Sequence, residues 1–116
     1  MHAVLHQPNG QQTLALQQAR RLWPRLKGLL GQPQLAPGSG LWLSPCNSVH
    51  SCFMRFSLDV LYLNRAGEVI ALRPHLAPWR MSLCLRAHSV VELAAGEAQR
   101  LGINLGDQIL CAPSPV

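Results

Sequence analysis

Charge is scarce in this chain: Asp, Glu, Lys and Arg together make up 13% of its 116 residues, against a usual share of about 25%. No acidic residue at all precedes Asp59. Long apolar runs are missing too: stretches such as Leu41–Leu43 and Val60–Leu63 fall far below the roughly 20 residues of a spanning helix. Membrane insertion by a helix is therefore excluded. The N-terminus, Met1-His2-Ala3-Val4-Leu5-His6-Gln7-Pro8, has neither a basic start nor an apolar stretch of signal-peptide length, so a cytoplasmic location is expected. There is no C-x-x-C pair, which leaves a zinc ribbon and a thioredoxin-type redox motif without support. A Ser-His-Asp motif, a P-loop, a Rossmann glycine pattern and a paired-carboxylate site are likewise missing, which favours binding over catalysis.

What is present is a chain that is 48% hydrophobic, with nine Pro and nine Gly spread as turn punctuation rather than pooled. A single domain over 1–116 with one core is expected, ending in a Pro-rich tail at 112–116. The net charge of +5 is uneven, because Arg20, Arg21, Arg25, Lys27 and Arg55 all precede Asp59 while the second half is neutral. Arg20–Lys27 could attract phosphates, but without interleaved aromatics a solvated helix face is the ordinary reading, and nucleic acid is not the expected partner. Cys46, Cys52, Cys84 and Cys111 are expected as thiols, with Cys84 and Cys111 packed as small hydrophobes among aliphatic neighbours.

Element signals run the length of the chain. Val4–His6 and Thr13–Leu16 flank Pro8-Asn9-Gly10 and predict a hairpin. Leu22, Trp23, Leu26, Leu29 and Leu30 follow helical spacing and predict the longest helix within Ala19–Leu30, although Pro24 suits a start near Trp23. Strands are predicted at Leu41–Leu43, Val49–Met54, Val60–Leu63, Val69–Leu72, Ser82–Leu85, Ser89–Leu93 and Gln108–Cys111. Asn64–Gly67 forms a turn between two of them, and Pro74 and Pro78 bracket an irregular stretch. A short second helix is predicted in Ala94–Leu101, closed by Gly102. Gly102–Asp107 reads as a tight turn whose backbone Asp107 hydrogen-bonds. The fold class is mainly β: a compact antiparallel β-sandwich or barrel with one substantial helix and a short second helix.

The elements Leu26-Lys27-Gly28-Leu29-Leu30, Gly40-Leu41-Trp42-Leu43, Val49 through Val60, Gly67-Glu68-Val69-Ile70 and Val91-Glu92-Leu93-Ala94-Ala95-Gly96 with Gly106-Asp107 are short, but their order and spacing are specific. Over about 12–110 the chain resembles the family catalogued as domain of unknown function 192. The resemblance implies a compact, mainly β domain of bacteria and archaea with no established activity to carry over. Gly28-Leu29-Leu30 stands where the family often has Gly-Leu-Met, and Cys52-Phe53-Met54 where it has an aromatic-Trp-Met segment.

Three groups of residues are candidates for chemistry. Cys46, His50 and Cys52 form a Cys-x-x-x-His-x-Cys set, a weak candidate for a soft metal or a Cys/His nucleophile, since no fourth ligand is evident. No cofactor is expected. Arg55 and Asp59 flank a loop, where Asp59 is expected to accept backbone N–H groups rather than act as a base. Trp79 and Arg80, following His75, bring an aromatic and a guanidinium onto one loop. With Trp42, His50 and Arg55 they are expected to converge on a site for an anionic or planar ligand. Glu92, set between Val91 and Leu93, is either solvated or the partner of an arginine. The leading expectation is a binding or accessory module for a small anionic ligand or a protein partner, working through His50, Arg55, Asp59, Trp79, Arg80 and Trp42. The alternatives are an enzyme at Cys46, His50 and Cys52 and, more weakly, nucleic-acid binding through Arg20–Lys27.

Overall fold

A computed structural model of the chain describes residues 2–19, 38–50 and 56–111. The strands are β1 (His2–Gln7), β2 (Gly10–Ala19), β3 (Ser39–Leu43), β4 (Ser48–His50), β5 (Leu58–Leu63), β6 (Val69–Leu76), β7 (Met81–Leu83), β8 (Ser89–Ala94) and β9 (Gln108–Cys111). Among the described residues the one helix, α1, is the single turn Glu97–Arg100. The longer helix expected within Ala19–Leu30 lies beyond Ala19 outside the described residues, as does the tail. No described helix is long and apolar enough to cross a membrane.

The chain is mainly β, but it is neither purely antiparallel nor a closed barrel. Seven strands form one sheet in the order β6-β5-β8-β3-β2-β1-β9, and β4 and β7 form a second, two-stranded sheet. β2 and β3 pair in parallel, with Ala15 opposite Ser39 and Ala19 opposite Leu43. The long connection between them allows the crossover that a parallel pair requires. The large sheet curls until its two edge strands approach, where Glu68 and Gln108 form an isolated bridge. The Ile109 N–H donates to the Gly67 carbonyl and the Val69 N–H to the Asp107 carbonyl.

Strand alternation divides the apolar residues between two clusters. Leu61 and Leu63 of β5 join Ala3, Leu5, Leu14, Leu16, Val91, Leu93 and Ile109 inside the curl. Leu58, Val60 and Tyr62 face the other way, with Leu41, Leu43, Val90 and Val49 of β4. The small sheet therefore covers the outer face of β3, β5 and β8. Each fully buried Leu contributes roughly 1.5–3 kcal/mol relative to exposure.

Two glycines of the family-like elements sit where backbones touch. A Cβ on Gly40 would stand 2.1 Å from the Glu92 carbonyl oxygen, so β3 and β8 approach only because none is there. Gly67 takes φ +83°, and a Cβ there would lie 2.4 Å from the Ile109 oxygen.

The first hairpin turns on Pro8-Asn9, with Gln7 opposite Gly10. The Gln7 side-chain amide donates to the carbonyls of Leu101 (3.0 Å) and Gly102 (2.9 Å), fastening the hairpin to the turn after α1. In that turn Asp107 accepts the Asn104 N–H at 2.9 Å, as its sequence predicts. Cys84 packs half-buried against the outer cluster. Cys111 differs from expectation: it is exposed, since β9 is an edge strand that buries Ile109 but leaves its last two residues, Leu110 and Cys111, open to solvent.

Candidate functional site

The segment that carries most of the unusual side chains runs from the end of β6 through β7. Pro74 does not end β6 as expected; the strand continues to Leu76. β6 is an edge strand, where the missing proline N–H is tolerated. The register jumps between Leu58–Leu76 and Val60–Arg73, so Pro74 and His75 together oppose Asp59, a bulge. His75 takes φ +54°, and its N–H donates to Asp59 Oδ1 at 2.9 Å.

Asp59 is the hub of this corner. It is buried, and its Oδ2 also accepts the N–H groups of Gly96 (3.0 Å) and Ala98 (2.9 Å). α1 has no cap from its own N-cap residue, so a carboxylate from another strand satisfies the first-turn donors. Asp59 thus accepts backbone N–H groups as its sequence predicts, although they belong to the bulge and the helix rather than to its own loop. A cleft of about 410 Å³ opens beside it, lined by Leu72, His75, Gln99 and Asn104 among others.

Four residues after His75, Trp79 takes φ +63°. Left-handed conformations of bulky residues cost of order 1–3 kcal/mol each and persist only where the surroundings enforce them. Trp79 lies in the turn that follows β6, and beyond it β7 pairs with β4, with Ser48 opposite Leu83, Val49 opposite Ser82 and His50 opposite Met81. The backbone of His50 is thereby paired with Met81, next in the chain to Trp79-Arg80. Val49 is buried, and Ser82 Oγ accepts the Tyr62 hydroxyl at 2.7 Å. Desolvation raises the Tyr62 phenol above its ordinary value, more than the Ser82 hydrogen bond lowers it.

With Ser82 facing inward, Met81 and Leu83 face out. Trp79, Met81, Leu83 and Leu85 are 58%, 78%, 57% and 77% exposed. The sequence reading named Trp79 but missed the other three, because alternating apolar residues normally mark the buried face of a strand. The available signal was the polar Ser82 and small Cys84 in the intervening places. Exposed Arg73, Arg80 and Arg86 belong to the same stretch, and no Asp or Glu occurs anywhere in 69–91.

The remaining expected site residues are dispersed or undescribed. Trp42 packs against the cluster inside the curl, on the opposite face of the sheet from β4 and β7, so it does not join Trp79 and Arg80. Glu92 is fully buried, opposite Leu41 on one side and Val60 on the other, which excludes the solvated alternative. Cys46 donates its thiol hydrogen to the Ser48 carbonyl at 3.0 Å. Arg55, Cys52 and Arg20–Lys27 lie outside the described residues. Among those described, no three His, Cys, Asp or Glu side chains are grouped to hold a metal.

Comparison with known proteins agrees with this architecture. The chain is similar to a solved structure of a protein from Sinorhizobium meliloti 1021 proposed to be a transcription regulator, at 22% identity and TM-score 0.83, covering 93% of this chain and 90% of that one. It is also similar to a protein of unknown function from Novosphingobium aromaticivorans, at 19% identity and TM-score 0.84, covering 96% and 84% of the two chains. At these identities the likeness shows a shared fold. UPF0127 protein PF1050 of Pyrococcus furiosus is 40% identical over 63 residues, 53% of either protein, so the match spans about half the length of that relative. The model of the domain of unknown function 192 family, described as uncharacterized ACR, matches residues 4–111. The chain belongs to that family.

Proposed function

We propose that this domain is a binding module that docks a partner protein through the outer face of β7. The observation that carries the reading is the exposure of Met81 and Leu83 on the outer face of β7 and of Trp79 and Leu85 in the segments on either side of it, a sequence stripe of four large apolar side chains turned to solvent. Contiguous exposed apolar surface on a small domain marks an interaction site more often than chance exposure does. Trp and Arg are also the residue types that dominate binding energy at interfaces.

The charge around the stripe selects the occupant. A stretch with Arg73, Arg80 and Arg86 and no carboxylate complements a segment that alternates apolar and acidic side chains. Such a segment, laid in extended form along β7, would seat its apolar residues on the stripe and direct its carboxylates to the guanidinium groups.

The test uses two soluble peptides of about ten residues, one alternating Leu with Glu and one alternating Leu with Lys. Titration calorimetry should show the acidic peptide binding and the basic one not, with affinity falling as salt is added. Leu83→Glu, at an exposed position where substitution leaves the fold intact, should abolish binding. Equal binding of both peptides, or unchanged binding by Leu83→Glu, would overturn the reading.

A further inference from the structure

A second basic feature shares Arg86 with that stretch but is built on two turns beyond the end of β7. The β5–β6 turn supplies Asn64, Arg65 and Ala66, and the β7–β8 turn supplies Arg86, Ala87 and His88, to one cleft of about 520 Å³. Both turns are held by hydrogen bonds that fix where their side chains start. Asn64 Oδ1 accepts the N–H groups of Ala66 (3.0 Å) and Glu68 (2.9 Å), and the Ala87 N–H donates to the Cys84 carbonyl at 3.0 Å. The His88 N–H donates to the Leu63 carbonyl at 2.8 Å, which ties the second turn to the strand that leads into the first.

The charges in this cleft are unbalanced. Its lining holds two arginines and a histidine but no carboxylate. The nearest acid along the chain, Glu68, accepts the Asn64 side-chain amide at 3.2 Å. Arg65 and Arg86 are both exposed. Among the described residues Arg100 pairs with Glu97, whereas neither Arg65 nor Arg86 has an ion-pair partner. With both guanidinium groups lining one cleft, an anion there would meet two sets of forked donors.

We infer that the Arg65, Arg86 and His88 cleft binds the phosphate group of inorganic phosphate or of a small phosphomonoester. Two guanidinium forks can serve three phosphate oxygens, with the imidazole as a further polar group. Ala66 and Ala87 leave room without supplying an aromatic plane, so the site recognises the charged group and directs any ester substituent outward. The site is distinct from the protein-docking stripe, because Arg65 lies on the β5–β6 turn and none of Trp79, Met81, Leu83 or Leu85 lines the cleft.

The experiment is a ¹H–¹⁵N NMR titration of the whole chain with inorganic phosphate, glycerol phosphate and acetate at constant ionic strength. Saturable shifts at Arg65, Arg86 and His88 are expected with both phosphates and not with acetate. Whichever phosphate binds more tightly identifies the source. Arg65→Ala and Arg86→Ala should each weaken binding about fivefold or more, consistent with losing one charge-assisted fork. Arg73→Ala, an exposed arginine outside the cleft, and Leu83→Glu should leave it unchanged. Absence of saturable shifts with either phosphate, or equal weakening by Arg73→Ala, would overturn the proposal. Because Leu83→Glu removes the docking stripe and Arg65→Ala does not, failure of one proposal is separable from failure of the other.

Discussion

The Tyr62 hydroxyl, at the end of a side chain buried in the outer cluster, donates a hydrogen bond of 2.7 Å to Ser82 Oγ on β7. A buried phenol hydroxyl needs a partner, and the nearest residue of β7 supplies one only if Ser82 points inward. Strand alternation then turns Met81 and Leu83 outward. One polar contact thus sets which face of β7 meets solvent.

Tyr62→Phe should cost about 1 kcal/mol, the net worth of one hydrogen bond, measured by urea unfolding at neutral pH. Its effect on alkaline stability is more specific. Because the folded phenol titrates above its ordinary value, the unfolded chain loses that proton first. Stability from this group is full below the unfolded value of about 10 and declines as pH rises through the folded one. The difference between wild type and Tyr62→Phe should therefore shrink or reverse in direction above about pH 10 relative to neutral pH, as read from paired melts.

Asp59→Ala should be among the most damaging polar substitutions in the chain. It strands the N–H groups of His75, Gly96 and Ala98, each costing about 1–3 kcal/mol if left buried without a partner. Asp59→Asn keeps an oxygen acceptor and should recover part of that loss. Thermal melts of both variants check the order, and equal melting temperatures for Ala and Asn would contradict the hub role.

Gly40→Ala tests the close approach of β3 to β8. The new methyl would meet the Glu92 carbonyl, which belongs to the backbone of a central strand and has little room to move. A loss of at least about 1–3 kcal/mol is expected, as for overpacked cores. Denaturant midpoints with an unchanged m-value would show that the effect is on stability alone.

Much of the local structure is legible in the residues themselves. Pro8-Asn9-Gly10, Asn64–Gly67 and Gly102–Asp107 carry turn chemistry that needs no distant partner, and Gln108–Cys111 coincides with β9. The role of Asp59 as an acceptor for backbone N–H groups was likewise legible, though not which ones. What the sequence could not reveal depends on contacts between distant segments. The parallel pairing of β2 with β3 depends on a crossover, and Trp42, on a strand the sequence predicts, reads as a ligand-site aromatic until that strand is placed in the sheet. The stripe is the sharpest case. A one-residue change of facing reverses a whole strand, and the residue that decides it, Tyr62, lies twenty positions away from Ser82.

Glu97 links α1 to Gly38 as well as to Arg100. The Arg100 guanidinium, together with the Gly38 N–H, holds its carboxyl below the usual range. A depressed folded value contributes stability that is present above the unfolded value of about 4.3 and is lost as pH falls through the folded one. Glu97→Gln should flatten the acid limb of the stability profile from about pH 5 downward, with a loss at neutral pH of about 0.5–1 kcal/mol because Arg100 is solvent-exposed. Unfolding midpoints across that range compare the two proteins.

The most direct test of the docking account is the ε-methyl signal of Met81 in a ¹³C-labelled chain, titrated with the peptide that alternates Leu and Glu. The account predicts a saturable shift of that methyl, accompanied by Leu83 and Leu85, that vanishes in Leu83→Glu. Peptide binding that leaves Met81 unmoved would contradict it.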